Sequence, residues 1–328
     1  MTEEREMSKK YKQEYLDGLE TLISRREQAY EKKRDSYIRD IFKNPEFYRD
    51  ELKSMFGYPL TEKKPQTLPK VKTEPVSDGV VRMSFEILED VWMTGLFFQK
   101  DEKKRPLVIV QHGGLGTPEF ISNFYDDTAN YNHMLERVVQ YDVHAFAPQL
   151  LIWSQEEYQL PFNRQEIDAR LKRVGSSVTA VEVYGIMRIL DWFEAQDYVK
   201  NFGMVGLSYG GFYTLTTTAL EPRIQSAVSC SYFNDRTTIG WTDWTWENAA
   251  EKFFDAEIAC LAYPRRLCIE VGNKDELFNI ESAKKEWERL KKLCAPVGTD
   301  WVDFIEFDGD HEFCKSDEPI KRLADDLI

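Results

Sequence analysis

The segment Gly206-Leu207-Ser208-Tyr209-Gly210 joins a short strand-like run, Phe202 to Gly206, to a helix-forming run from Gly211 to Leu220. That order predicts a buried strand, a sharp turn and a helix, and few folds supply such a junction. Side chains larger than hydrogen would collide on either side of so tight a turn. The glycines relieve the collision and lift the serine Oγ above the end of the sheet, the arrangement of a nucleophile elbow.

A serine hydroxyl is a weak nucleophile at neutral pH, so the reading requires a histidine base and a carboxylate to orient it. The chain has four histidines. His311 follows the strand-like Trp301 to Glu306 in a loop that contains Gly309, a suitable place for the base. The segment Arg266 to Val271 is another strand, and the turn Gly272-Asn273-Lys274 after it leads to Asp275, with Glu276 as the rival acid. Upstream, the apolar strand Pro106 to Gln111 runs into His112-Gly113-Gly114-Leu115-Gly116. A glycine loop at that point can turn a backbone N–H toward a tetrahedral intermediate. The expected oxyanion donors are the N–H groups of Gly114 and of Tyr209, the residue after the nucleophile. His112 is expected to fix this loop by hydrogen bonding.

Around these motifs strands and helices alternate, which predicts an α/β class with a mostly parallel central sheet. Val80–Leu88 and Val91–Phe98 form an expected hairpin about Glu89-Asp90, and Asp142–Ala147, Ile224–Cys230 and Leu267–Val271 are further strands. Val178–Ala195 and Ala283–Leu293 are expected helices. Residues 1–60 are charged and rich in helix formers, with Tyr15, Leu19, Leu22, Ile23, Tyr30, Ile38 and Ile41 at mainly helical spacing. They predict a helical extension packed on the body, which begins at about residue 66 after a proline-rich linker, Tyr58 to Pro69.

Forty-three Lys and Arg against 57 Asp and Glu give a net charge of −14, which disfavours nucleic acid and other polyanions as partners. Five cysteines without a Cys-x-x-Cys spacing predict buried free thiols, with no structural metal and no cofactor. No apolar run is long enough to span a bilayer, and the N-terminus lacks an apolar signal core, so neither a membrane nor export is expected and the expected location is the cytoplasm. The sequence leaves the oligomeric state open. Three tryptophans, Trp241, Trp244 and Trp246, crowd the segment after the Ile224–Cys230 strand. Trp241 and Trp244 are candidates for a substrate-pocket wall, with Trp153 a further candidate at another strand end; packing as core is the alternative.

Taken together, Gln111-His112-Gly113-Gly114, Leu190-Asp191-Trp192-Phe193, Gly206 to Gly211, Pro222-Arg223-Ile224, Pro264 to Leu267 and Gly309-Asp310-His311 resemble the α/β-hydrolase superfamily, in its dienelactone-hydrolase and acetyl-xylan-esterase-like branch. The resemblance covers about residues 66–328. It implies an α/β-hydrolase fold and hydrolysis of a small ester or an acylated sugar through an acyl-serine, with Ser208, Asp275 and His311 as the triad. The chain departs from better defined members. It lacks the Arg-Gly-Gln oxyanion segment of one type of acetyl-xylan esterase and the arginine that glucuronoyl esterases place beside the serine. The elbow is equally similar to that of prolyl-oligopeptidase-type peptidases, but about 100 residues precede the oxyanion strand, too few for the propeller that usually gates those enzymes. A non-catalytic scaffold on the same fold is a third reading.

Overall fold

The computed structural model describes residues 3–122, 124, 128–152 and 160–328. Among them a nine-stranded sheet runs in the order β1-β2-β3-β5-β4-β6-β7-β8-β9. The strands are β1 (Val71–Ser77), β2 (Val80–Leu88), β3 (Val91–Phe98), β4 (Arg105–Gln111), β5 (His144–Pro148), β6 (Val199–Leu207), β7 (Ile224–Cys230), β8 (Arg266–Gly272) and β9 (Val302–Phe307). β1, β2 and β3 are antiparallel, and β3 meets β5 antiparallel. Every pairing from β5 through β4 to β9 is parallel. The expected mostly parallel sheet flanked by helices is therefore present.

The parallel strands read as continuous apolar runs because both of their faces are covered. On β4, Leu107 and Ile109 enter one core cluster while Val108 and Val110 enter the other. The first cluster packs against helices Pro45–Phe56, Val178–Glu194, Tyr209–Leu220 and Ile280–Leu293, and the second against Met134–Val139 and Glu318–Leu327. β1 differs: six of its seven residues are exposed. It lies at the sheet edge, where Pro75 does not interrupt a central ladder.

The N-terminal helix, Glu3–Tyr37, is continuous. Among the described residues it meets the body through its last turns and the segment that follows. Arg34 is buried, lies 4.1 Å from the Phe254 ring centroid and donates to the Ala250 carbonyl at 2.6 Å, and Ile38 and Ile41 enter the core. Residues 4–29 are exposed throughout, Tyr15, Leu19, Leu22 and Ile23 among them. This corrects the expectation that these four side chains pack on the body: helical spacing of apolar residues marks a face but does not supply its partner.

Candidate active site

Parallel strands end in register at one edge of the sheet, and the chemistry-bearing loops gather there. Leu207 of β6 is level with Cys230 of β7, Cys230 with Glu270 of β8, and Gly272 of β8 with Phe307 of β9. Ser208 follows β6 directly, with φ 60° and ψ −121°, a conformation that a residue with a β-carbon adopts only when its surroundings enforce it. The flanking glycines are the reason it can. A Cβ on Gly206 would stand 2.3 Å from the Gly210 carbonyl oxygen, and one on Gly210 would stand 2.1 Å from that of Gln111. The Ser208 N–H donates to the Cys230 carbonyl at 2.9 Å, and Tyr209 is the first residue of the helix that follows.

Asp275 and His311 come together from the β8 and β9 loops, with Asp275 Oδ2 2.8 Å from His311 Nδ1. The other oxygen, Oδ1, accepts from the N–H groups of Leu277 at 2.8 Å and Phe278 at 2.9 Å, so the carboxylate is aimed by its own loop. The Asp275 side chain is fully shielded, whereas His311 keeps a quarter of its side-chain surface open. Glu276, the rival acid, is exposed. Ser231, directly after β7, donates from Oγ to the Glu312 carbonyl at 2.9 Å, which ties the histidine loop to the strand beside the elbow.

The glycine loop after β4 sits against the elbow. A Cβ on Gly113 would lie 3.0 Å from Ser208 Cβ and 2.6 Å from the Leu207 carbonyl oxygen. His112 is completely buried. Its Nε2 accepts from the Leu150 N–H at 3.0 Å and its Nδ1 lies 2.9 Å from the Gly113 carbonyl, so the proton belongs on Nδ1. Burial pushes its pKa down to about 4, and the ring is neutral.

Tyr131 was not legible as part of this site. Its phenol oxygen accepts from the Gly113 N–H at 2.9 Å and donates to the Gly114 carbonyl at 3.2 Å. On either side of it, Asn130 Nδ2 donates to the His311 carbonyl at 2.9 Å, and Asn132 Nδ2 donates to the Phe313 carbonyl at 2.7 Å. Three consecutive residues therefore join the glycine loop to the histidine loop. Ala129, Asn132 and His133 all have positive φ, so this bridge is itself a strained segment held by its bonds.

The tryptophans divide. Trp244 is 2% exposed and packs against Tyr209, Phe212, Tyr232 and Phe278. It is core beneath the elbow helix, which corrects its assignment to a pocket wall. Trp241 is only partly buried, stacks on Tyr209 with centroids 5.7 Å apart and meets Phe278 edge-on at 6.1 Å. Phe278 in turn lies 5.5 Å from the His311 ring, so Trp241 keeps a position near the site. Trp153 lies outside the described residues. Trp244→Ala should therefore lower stability by about 3–5 kcal/mol, as loss of a large buried ring does. Chemical denaturation checks this, and a variant of unchanged stability with only a raised KM would restore the wall.

Behind the site, Glu270 near the end of β8 is 1% exposed. Burial pushes its carboxyl up to about 7 from 4.5, against the opposing pull of the Cys230 and Cys314 thiols. The folded protein thus holds this proton more tightly than the unfolded chain. The resulting stabilisation is complete below about pH 4.5 and is lost as pH rises through 7. The Tm of Glu270→Gln, fixed neutral, should consequently rise relative to wild type between pH 5 and pH 8; a difference that does not change with pH would contradict this.

All five cysteines are buried free thiols. Among the described residues no group of three or more His, Cys, Asp or Glu could hold a metal, and no helix is long and apolar enough to cross a membrane.

No family model and no curated protein sequence matches this chain. Solved structures do. A protein from Bacteroides fragilis assigned as an acetyl xylan esterase superposes with a TM-score of 0.65 at 18% identity, over 84% of this chain and 77% of its own. A glucuronoyl esterase from Solibacter usitatus gives 0.63 at 12% identity, over 87% and 92%. An esterase described as promiscuous, from a marine bacterial metagenome, gives 0.60 at 13% identity, over 88% and 92%. At these identities the likeness is one of fold.

Proposed function

We propose, from the α/β-hydrolase fold that this chain has, that it is a serine hydrolase of carboxylic esters, acting on a small or acylated-sugar ester through an acyl-enzyme on Ser208. The observation that carries the reading is the 2.8 Å pair of Asp275 Oδ2 and His311 Nδ1, held at the same sheet edge as a serine in a strained elbow. With Nδ1–H donated to Asp275, the neutral imidazole has its Nε2 lone pair available as a base. His311 takes the Ser208 proton as Oγ attacks the ester carbonyl, then returns it to the departing alcohol. Asp275 keeps the ring oriented and stabilises its charged form. Water repeats the cycle on the acyl-serine, with His311 again as base. The names of the three structural neighbours given above, each an esterase, support the ester over the amide.

The oxyanion would be met by the N–H groups of Gly114 and Tyr209. The Gly113 N–H is engaged by Tyr131, so the loop's donation falls to Gly114, and the first-turn position of Tyr209 adds the positive end of the elbow helix. In this reading Tyr131 is a positioning residue. Tyr131→Phe keeps the buried ring and removes the pin, so kcat should fall about 10-fold or more with KM nearly unchanged, and affinity for a boronic acid transition-state analogue should fall in parallel. A fall in Tm alone, with kcat intact, would reduce Tyr131 to packing.

Hydrolysis of p-nitrophenyl acetate, butyrate and octanoate, with aminoacyl p-nitroanilides in parallel, tests the reaction class. Ester turnover that disappears in Ser208→Ala, with little anilide cleavage, is expected. Preferential anilide cleavage would replace the esterase with a peptidase, and inertness toward both sets together with failure to react with a fluorophosphonate would favour a scaffold.

A further inference from the structure

The helix Glu3–Tyr37 carries an apolar face that the body covers at one end only. At about 100° per residue, Tyr11, Tyr15, Leu16, Leu19, Leu22 and Ile23 fall within about 140° of the helix circumference. Each is between 37% and 71% exposed. Arg34 and Tyr37 fall in the same sector, and there the body seals it: Arg34 lies over the Phe254 ring at 4.1 Å and Tyr37 meets Phe253 edge-on at 5.8 Å. A single exposed apolar side chain is ordinary, but a contiguous patch on one helix face marks an interaction surface. Helices in proteins owe most of their stability to packing of such a face. The six side chains offer on the order of 700 Å² per copy, close to the roughly 800 Å² that each partner contributes to a stable interface.

The charges beside this face select the occupant. Turning a second copy of the helix end for end about an axis through the face, between Leu19 and Glu20, brings each flank against its own counterpart. Leu16 is then level with Ile23 of the second copy, Glu14 with Arg25 and Lys12 with Glu27, and the two members of each pair stand on the same flank. Twofold symmetry makes every one of these contacts twice. A parallel arrangement instead sets Lys12 against Lys12 and Arg26 against Arg26, which repel. Glu3–Tyr37 itself is neutral, with nine Lys and Arg against nine Asp and Glu, so the net charge of −14 belongs to the rest of the chain. Antiparallel pairing keeps those two acidic bodies at opposite ends of a helix about 52 Å long. We infer that two copies of this chain dimerise by antiparallel pairing of their N-terminal helices through the Tyr11 to Ile23 face.

Sedimentation velocity of the full chain between about 1 and 100 µM reads the assembly directly. The wild-type mass should rise to twice the 38.5 kDa of one chain. Leu19→Glu sets two carboxylates beside the pair axis and should stay monomeric throughout; residues 4–29 are exposed, so the body keeps its fold, with Tm as the check. Charge exchange tests the direction of pairing. Glu14→Lys and Arg25→Glu should each raise the dissociation constant about 5-fold or more, and the double variant should return it to within about two-fold of wild type. A wild-type chain that is monomeric at the highest concentration overturns the inference, and so does a dimer that persists in Leu19→Glu, because it is then built on another face. Single exchanges without effect, or without recovery in the double variant, overturn the antiparallel register. A monomer that cosediments with phosphatidylcholine–phosphatidylserine vesicles, and no longer does so as Leu19→Glu, would give the face to lipid and overturn the dimer.

Discussion

Ser208→Ala should lower ester turnover on the order of 10⁶-fold, the loss expected when the nucleophile of an acyl-transfer site is removed, leaving what substrate binding and the oxyanion donors supply alone. The fold should survive the change. Ser208 is held in its turn by its own N–H bond to Cys230 and by its carbonyl, which accepts from the Phe212 N–H at 2.9 Å, and neither bond involves Oγ. A methyl group replaces the hydroxymethyl without new contacts. Steady-state assays with p-nitrophenyl esters, with Tm as a check on folding, measure the effect. Loss of less than about 10-fold would place the nucleophile elsewhere.

Asp275→Asn should lower kcat by about 10⁴-fold. The reason lies in the direction of the bonds. Asp275 Oδ1 accepts from two backbone N–H groups, so in the variant the amide oxygen would keep that position and the amide nitrogen would face His311. An NH₂ group there donates, so Nδ1 must accept, and the imidazole proton moves to Nε2, where it opposes the serine hydroxyl. The base is then in the wrong tautomer although the geometry is intact. Glu276→Gln is the control: the side chain is exposed, and its turnover should stay within about two-fold of wild type, as for surface changes away from a site. A large loss in Glu276→Gln with little in Asp275→Asn would exchange the two assignments.

Much of this arrangement could be read before the structure. Ile224–Cys230 and both strands of the hairpin about Asp90 were legible to the residue, and the elbow and the strands ahead of Asp275 and His311 were legible nearly so. Each is a short apolar run bounded by turn residues, and a parallel strand buried on both faces has to look that way. β1 was missed because an exposed edge strand carries no apolar alternation. The helix Glu318–Leu327 was missed although Ile320, Leu323, Ala324 and Leu327 carry the helical spacing that would have found it.

The candidate site was legible where chemistry demands particular residue types at particular strand ends, as for Ser208, Asp275 and His311, the residues proposed as the triad. It was not legible where support comes from distant side chains. Tyr131 reaches Gly113 across 18 positions, and such a pair leaves no local pattern. The tryptophan segment falls between these cases. Composition marked Trp241 and Trp244 equally, and only the fold distinguishes a ring sealed behind Tyr209 from one at its surface.

The acyl-serine is the intermediate on which the account depends. Mixing the protein with p-nitrophenyl acetate, quenching in acid within the first turnover and mapping the peptides by mass spectrometry should find one acetyl group on the peptide that contains Ser208, and none in Ser208→Ala. Hydrolysis that proceeds with that peptide unmodified, or with the acetyl group on another residue, would contradict it.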